Sequence, residues 1–448
     1  MAFPAVAVIG AGYAGLACAV ELARAGVHVT VFERSSILGG RARLVNKERD
    51  WPIDNGQHIL IGAYHELTRL LRLTGCSAKA LSQLPLTLHV PGELQLQAAA
   101  LPAPFNLAWG LLRARGLSLA DRLALPRLLR WLKARNFALD EMMTVREMLH
   151  AAAQTARLST LVWEPLCLAA LNTPPAQASA QVFANVLRDS LLGSARDSEL
   201  LLPRIDLSEL FPVPAARYLA VRRGKLRTGN AITALHYHQG DFTLDGDPGS
   251  QPWRQVVIAT AAPHAARLLH STGQCAQLAD EIAALPHEPI TSVYLALDPD
   301  LRLPAAMIGL SSDQTDNQTD APAQWAFDRA QLGGPAGLIA CVISAWQPEP
   351  GQSHEDLVAI VHAQLERQLA PQLGRSLGSL RWSQVIVEKR ATIACHPGLK
   401  RPDIHTPLPG LWLAGDYLAS PYPATLESAV RSGTRCAQAV LETLGQPG

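Results

Sequence analysis

Three glycines near the start of the chain, Gly10, Gly12 and Gly15, have the spacing G-x-G-x-x-G within AVAVIGAGYAGLACAVELARAGVHVTVFER. The first can make a tight turn, the second lets the backbone approach a pyrophosphate, and the third lets a helix pack closely on a strand. Tyr13 and Ala14 fill the same loop. A helix expected over 15–25 would aim its N-terminus, where the backbone dipole favours an anion, at the phosphates. Glu33 follows Gly15 by 18 residues, with Arg34 beside it, and an acid at that distance can accept both hydroxyls of an adenosine ribose. Together these residues have the chemistry of a dinucleotide site.

Two more turns carry chemistry. Gly39, Gly40 and Arg41 follow the acid closely; the glycine pair lets the chain pass near a ligand, and Arg41 can meet phosphate oxygens. Near the other end, GLWLAGDYL is an apolar run closing in Gly415-Asp416. Pro423 then suits a helix start, where Thr425, Leu426 and Glu427 would present unpaired N–H groups.

The elements that position these residues are readable in outline. Ala5–Ile9 is a short apolar strand, Gly26 closes the first helix, and a second strand is expected over 27–32. WRQVVIATAAP reads as a buried strand running into Ala259, and GKLRTGNAITAL as a strand pair carrying Ile232. A chain of 448 residues is too long for one core and predicts two domains. Segments 1–78, 203–285 and 386–448 are assigned to a nucleotide-binding domain, and 79–202 with 286–385 to an inserted substrate domain. The first insert reads as helices with arginines between apolar positions, over LAWGLLRARGLSLADRLALPRLLRWLKARN. The second opens on the strand pattern EPITSVYLALD and includes the helical SHEDLVAIVHAQLERQL; SDQTDNQTDAP is expected to be a loop. The fold class is therefore α/β: a Rossmann-like domain with an inserted α+β domain.

Composition narrows the function classes. Charged residues are 17% and the net charge is +1, with no basic stripe, so nucleic acid is not an expected partner. The seven cysteines include no CxxC pair, so no metal site is expected and a reducing, cytoplasmic location is. The first residues lack a basic region and cleavage site, so a secretory leader is not expected, and no apolar run is long enough to span a membrane. The Leu- and Ala-rich first insert leaves two readings open beside that of core helices: a tunnel for an apolar substrate, or peripheral contact with the inner membrane.

The glycine loop, the acid, GGRAR and the terminal LAGDYLASPYPATLESAVRSG resemble the flavin amine oxidase and phytoene desaturase superfamily. Within it, DWPIDNGQHILIGAYHEL, VWEPLCLAALNTPPAQASAQVFANVLRDSLLG and VEKRATIACHPGLKRP resemble the hydroxysqualene dehydroxylases of hopanoid biosynthesis along the whole chain. Tyr417 and Ser428 depart from the pattern, where tryptophan and glycine are common. The resemblance implies FAD on a glutathione-reductase-type domain: the first loop on the ADP half, Ile232 on adenine, Ala259 on the returning strand, and Gly415, Asp416, Thr425 and Leu426 on the flavin half. It places Asn55, Gly56, Gln57 and His58 beside the isoalloxazine.

The implied reaction is reductive dehydroxylation of an apolar C30 isoprenoid alcohol. His58, with an ordinary pKa near neutrality, and Gln57 are then the candidates to assist hydroxyl departure, with Asn55 beside them. A purely pocket-shaping role for His58 is the alternative. Asp54 is expected to hold the loop by a local turn, and Arg188 with Asp189 to form a surface ion pair. No second dinucleotide loop occurs, which implies an external electron donor or reductase. A desaturase, an amine oxidase and a non-catalytic flavin or lipid carrier are the other readings.

Overall fold

The computed structural model describes residues 5–46, 51–249, 251–311, 321–347 and 351–445. The expected loop over 312–322 falls mostly outside them, as does Asp50. The strands that matter here, in chain order, are β1 (Ala5–Ile9), β2 (His28–Glu33), β3 (Lys225–Thr228), β4 (Gln255–Ile258), β5 (His287–Ala296), β6 (Met307–Gly309), β7 (Trp325–Asp328), β8 (Leu338–Ser344), β9 (Trp382–Ile393) and β10 (Leu411–Leu413). The helices are α1 (Tyr13–Arg24), α2 (His65–Leu73), α3 (Phe105–Arg113), α4 (Leu119–Lys133), α5 (Ala180–Leu191), α6 (Leu207–Leu210), α7 (His354–Leu373) and α8 (Leu426–Thr443).

β1, β2, β3, β4 and β10 form one parallel sheet in the order β3-β2-β1-β4-β10. β1, β4 and β10 are rich in Val, Ile or Leu and are buried apart from Ala5, as both faces of such a sheet are covered. Ile9 pairs with Phe32 on one side and Ile258 on the other, and Ile258 pairs with Leu413. The carboxyl ends of four strands are thus level, and the chain reverses its direction of travel across the sheet between β1 and β4. Ligands bind above such a switch point.

α1 begins at Tyr13, two residues before the expected start, because Gly12 already serves as its extended N-cap. α8 lies against it. A Cβ on Gly433 would stand 2.2 Å from the Ala14 carbonyl oxygen, so only glycine permits this crossing. The carboxylate of Glu427, on the first turn of α8, accepts the Glu66 and Leu67 N–H groups at 3.0 and 2.9 Å and caps α2.

The second sheet is antiparallel, in the order β6-β7-β8-β5-β9, with α7 packed on it. β9 runs unbroken through residue 386, so this sheet continues to Ile393. The first insert contains strands that helical periodicity did not reveal, at Leu81–Leu84, Thr87–Val90 and Leu94–Gln97. The expected strand pair over 224–235 is not a pair: β3 joins the parallel sheet, while Ala234–His238 forms a hairpin with Asp241–Asp245. Ile232 lies half-buried in the loop between.

In an exposed helix, replacing glycine by alanine stabilises by about 1 kcal/mol. At Gly433 the sign should reverse. Gly433→Ala should cost about 1–3 kcal/mol in thermal denaturation, since the helices must separate to admit one methyl group. An unchanged or raised melting temperature would contradict the close crossing.

Candidate active site

The residues predicted to bind a dinucleotide meet at the carboxyl edge of the parallel sheet. Gly10 follows β1 with φ of 110°, and a Cβ there would lie 2.6 Å from the Ala259 carbonyl oxygen. Gly12 and Gly39 form a parallel bridge, and a Cβ on Gly40 would come within 3.4 Å of the Gly12 Cα. The two glycine motifs therefore touch backbone to backbone. Glu33 ends β2, and its carboxylate accepts the Ala11 and Ser35 N–H groups, each at 2.8 Å. Arg34 is exposed beside it.

Arg41 lies across the gap between the chain's two ends. It donates to Asp416 Oδ1 at 2.5 Å and to the Ala391 carbonyl at 2.6 Å. Burial works against its charge, but the Asp416 carboxylate more than offsets this and raises its pKa. The guanidinium expected to meet phosphate oxygens thus ties the first glycine-rich segment to β9 and to the second turn. That turn is braced by Arg401, which donates to the carbonyls of Ser420 and, at 2.8 Å, Tyr422, and by Asn185 of α5, which donates to the Pro421 carbonyl at 2.9 Å. Gly415 is required because the Tyr417 ring covers it; a Cβ would lie 2.4 Å from that ring. Thr425 caps α8, accepting the Ser428 N–H at 3.2 Å, and leaves the N–H groups expected to be free outside this cap. Leu426 begins the helix proper. The Ser428 hydroxyl donates to the Pro423 carbonyl at 2.6 Å, which accommodates serine in place of glycine.

The loop 55–58 lies between the two sheets. Asn55 Nδ2 donates to the Arg41 carbonyl at 3.1 Å and to Glu388 on β9 at 3.3 Å, which makes it a brace. Gly56 faces the Ser292 hydroxyl on β5. Gln57 Oε1 accepts from Arg329 at 3.1 Å, and Arg329 is 8% exposed. With its oxygen held by a buried cation, Gln57 turns its NH2 group the other way, where it donates to the His58 carbonyl at 3.5 Å. His58 Nδ1 lies 2.9 Å from the Gly56 carbonyl. Only a protonated Nδ1 can bond that oxygen, so neutral His58 presents the lone pair of Nε2. Burial lowers its pKa, the Gly56 carbonyl raises it less, and Arg41 lowers it further. The imidazole of His58 therefore titrates below the ordinary histidine range.

Among the described residues Asp54 makes no local turn. Its Oδ1 accepts the Leu207 N–H of α6 at 3.0 Å, and its carbonyl accepts from Tyr294 at 3.1 Å. Arg188 and Asp189 do pair at 2.7 Å, and Asp189 also takes the Tyr422 hydroxyl. Sequence reasoning missed Tyr294, Arg329, Glu388 and Arg401. Tyr294 and Glu388 sit on strands, Arg401 on a loop and Arg329 at the start of a 3-10 turn, and no local signal marked any of them.

A model of the flavin containing amine oxidoreductases matches residues 13–441. The chain belongs to that family. It is accordingly an FAD-dependent oxidoreductase. Among its relatives, the hydroxysqualene dehydroxylase of Rhodopseudomonas palustris is 28% identical, over 97% of this chain and 98% of that protein. The 15-cis-phytoene desaturase of Synechococcus elongatus is 25% identical, over 97% and 95%. An oxidoreductase from Methanosarcina mazei shares the fold with a TM-score of 0.74 at 17% identity, covering 98% of this chain and all of that one.

The residues present fit FAD. The Gly12–Gly40 contact leaves a cradle without side chains, and α1 has no side-chain cap at its N-terminus. The buried hydroxyls of Thr260, beside Gly10, and Tyr417, beside Gly415, have no hydrogen-bond partner among the described residues. In such a seat the first glycine loop and Glu33 would hold the nucleotide half, and Asp416 with the start of α8 would hold the flavin half. No cluster of metal ligands occurs among the described residues. No described helix is long and apolar enough to cross a membrane.

Burial pushes the Asp54 carboxyl up to about 6, against the Leu207 N–H bond and Arg329, which lower it. A folded-state pKa above the unfolded value contributes stability at low pH that is lost as pH rises through about 6. Asp54→Asn stays neutral and keeps the acceptor for Leu207. Relative to wild type it should gain up to roughly 3 kcal/mol between pH 4 and pH 7.5 in chemical denaturation. Parallel pH profiles for the two proteins would rule out a raised carboxyl at this position.

Proposed function

We propose that the chain removes the allylic hydroxyl of hydroxysqualene reductively to give squalene, on a glutathione-reductase-type nucleotide domain in three segments with the substrate domain inserted between them. The observation that carries this reading is the near-full-length similarity to the dehydroxylase relative. The surroundings of loop 55–58 support an apolar substrate: Ile53 is buried in a cluster against which Val45, Ile59, Ile290 and Ile386 pack. Reduced FAD, when bound, supplies the hydride; the C–O bond breaks, a C–H bond forms, and the oxygen takes a proton and leaves as water. The chain's part is to exclude water from the allylic centre and assist departure. Gln57, oriented by Arg329, donates a hydrogen bond to the hydroxyl oxygen. His58 delivers the proton from Nε2 in its protonated form, whose lowered pKa makes it the stronger acid. Electrons reach the flavin from an external reductase in the cytoplasm. A desaturase, running hydride the other way, is the second reading, supported by the desaturase relative.

Anaerobically reduced enzyme mixed with hydroxysqualene should regain oxidised-flavin absorbance with one equivalent of squalene. Flavin that stays reduced would overturn the reading, and bleaching of oxidised flavin by a polyene precursor would install the desaturase. In the same assay Gln57→Leu should slow reoxidation about 10²-fold. The wild-type rate should climb as pH falls below the usual histidine range, and His58→Gln should abolish that limb. An identical pH profile in His58→Gln would remove His58 from the proton's path.

A further inference from the structure

We propose that the outer face of α3 and α4 docks on an anionic lipid bilayer, lying on its surface. The inference is independent of the substrate reading, since it rests only on exposed apolar side chains and charge. α3 presents its inner face to the strand Leu94–Gln97. Asn106 is buried there, and a Cβ on Gly110, one turn on, would lie 2.4 Å from the Gln97 carbonyl oxygen. The opposite face therefore points outward. It carries Phe105, Trp109 and Leu112, which are 65%, 44% and 62% exposed. The first turns of α4 add Leu119 and Leu123, at 74% and 55%. Arg122 joins the two helices, donating to the carbonyls of Leu112 at 2.5 Å and Ala114 at 2.7 Å. Two stripes of large apolar residues thus adjoin. Of the nine large hydrophobics exposed among the described residues, six lie in residues 101–123. Such clustering marks an interaction surface, whereas scattered single residues do not.

Charge identifies the occupant. Residues 101–137 hold seven Arg or Lys residues and one acid, Asp121, in a chain whose net charge is only +1. That acid is buried, bonded to Ser118 and Thr155, and so does not offset the surface charge. Arg113 lies over the Trp109 ring at 5.1 Å, and Arg127 and Arg130 continue the stripe of Leu119 and Leu123 along α4. Apolar and aromatic side chains flanked by arginines suit the boundary of an anionic bilayer, where rings enter the interface and cations meet phosphates. A second copy of the chain would bring like charges together, which disfavours self-association through this face.

The test is sedimentation of the FAD-loaded full chain with phosphatidylcholine vesicles, with and without phosphatidylglycerol. Wild type should pellet with the anionic vesicles, less so as salt rises. The variant Phe105→Ser/Trp109→Ser/Leu112→Ser should partition at least about tenfold less. Arg113→Gln and Arg130→Gln should each cost roughly fivefold. Flavin absorbance and melting temperature should match wild type in all three. Failure of wild type to bind any vesicle, or equal binding by the apolar variant, would overturn the proposal. A concentration-dependent dimer lost in the apolar variant, without vesicle binding, would assign the face to a second copy instead.

Discussion

The ion pair between Arg41 and Asp416 joins residues 375 positions apart at 2.5 Å. Arg41 closes the first glycine-rich segment, and Asp416 closes the last strand of the same sheet. Both belong to turns that leave the sheet at its carboxyl edge. Between them the chain leaves the parallel sheet twice, first for helices and short strands and then for the antiparallel sheet. The pair is partly buried, so loss of either partner would leave an uncompensated charge. Asn55 is bonded to the Arg41 carbonyl, and Arg401 with Asn185 braces the turn beyond Asp416. The loop 55–58, the second turn and the start of α8 are all positioned with reference to this contact.

The constraint beneath the pair is backbone proximity. Gly10 against Ala259, Gly12 against Gly40, and Gly433 against Ala14 each bring main chain to main chain with no room for a methyl group or little to spare. Small residues at these points let the sheet edge, α1 and α8 converge on a narrow space. A pyrophosphate can then lie against N–H groups and a helix N-terminus without competing side chains.

Residues whose role depends on their own backbone were legible in the sequence. Gly10, Gly12, Gly15 and Glu33 announce a strand, a turn, a helix and a second strand because each requirement is local. Gly415 and Asp416 were readable for the same reason. The first insert was legible only in part: Phe105 to Lys133 shows helical periodicity, but the short strands near 81–97 alternate too briefly to stand out. Side-chain networks across the two sheets were not legible. Arg329 orients Gln57 from 272 positions away, and Asp54 turns to Leu207 instead of its own loop. The surroundings of His58 were hidden for a related reason: the burial that lowers its pKa and the Gly56 carbonyl that holds Nδ1 as the donor are both products of folding.

The most direct measurement is FAD affinity in a double-mutant cycle on the pair itself. Dissociation constants would be taken by flavin fluorescence for wild type, Arg41→Gln, Asp416→Asn and the double variant. If the two turns form one seat through this contact, each single change weakens FAD by about tenfold or more, and the double variant is no weaker than the worse single. Unchanged affinity in the singles, or losses that multiply in the double, would show that the chain's two ends hold the cofactor independently.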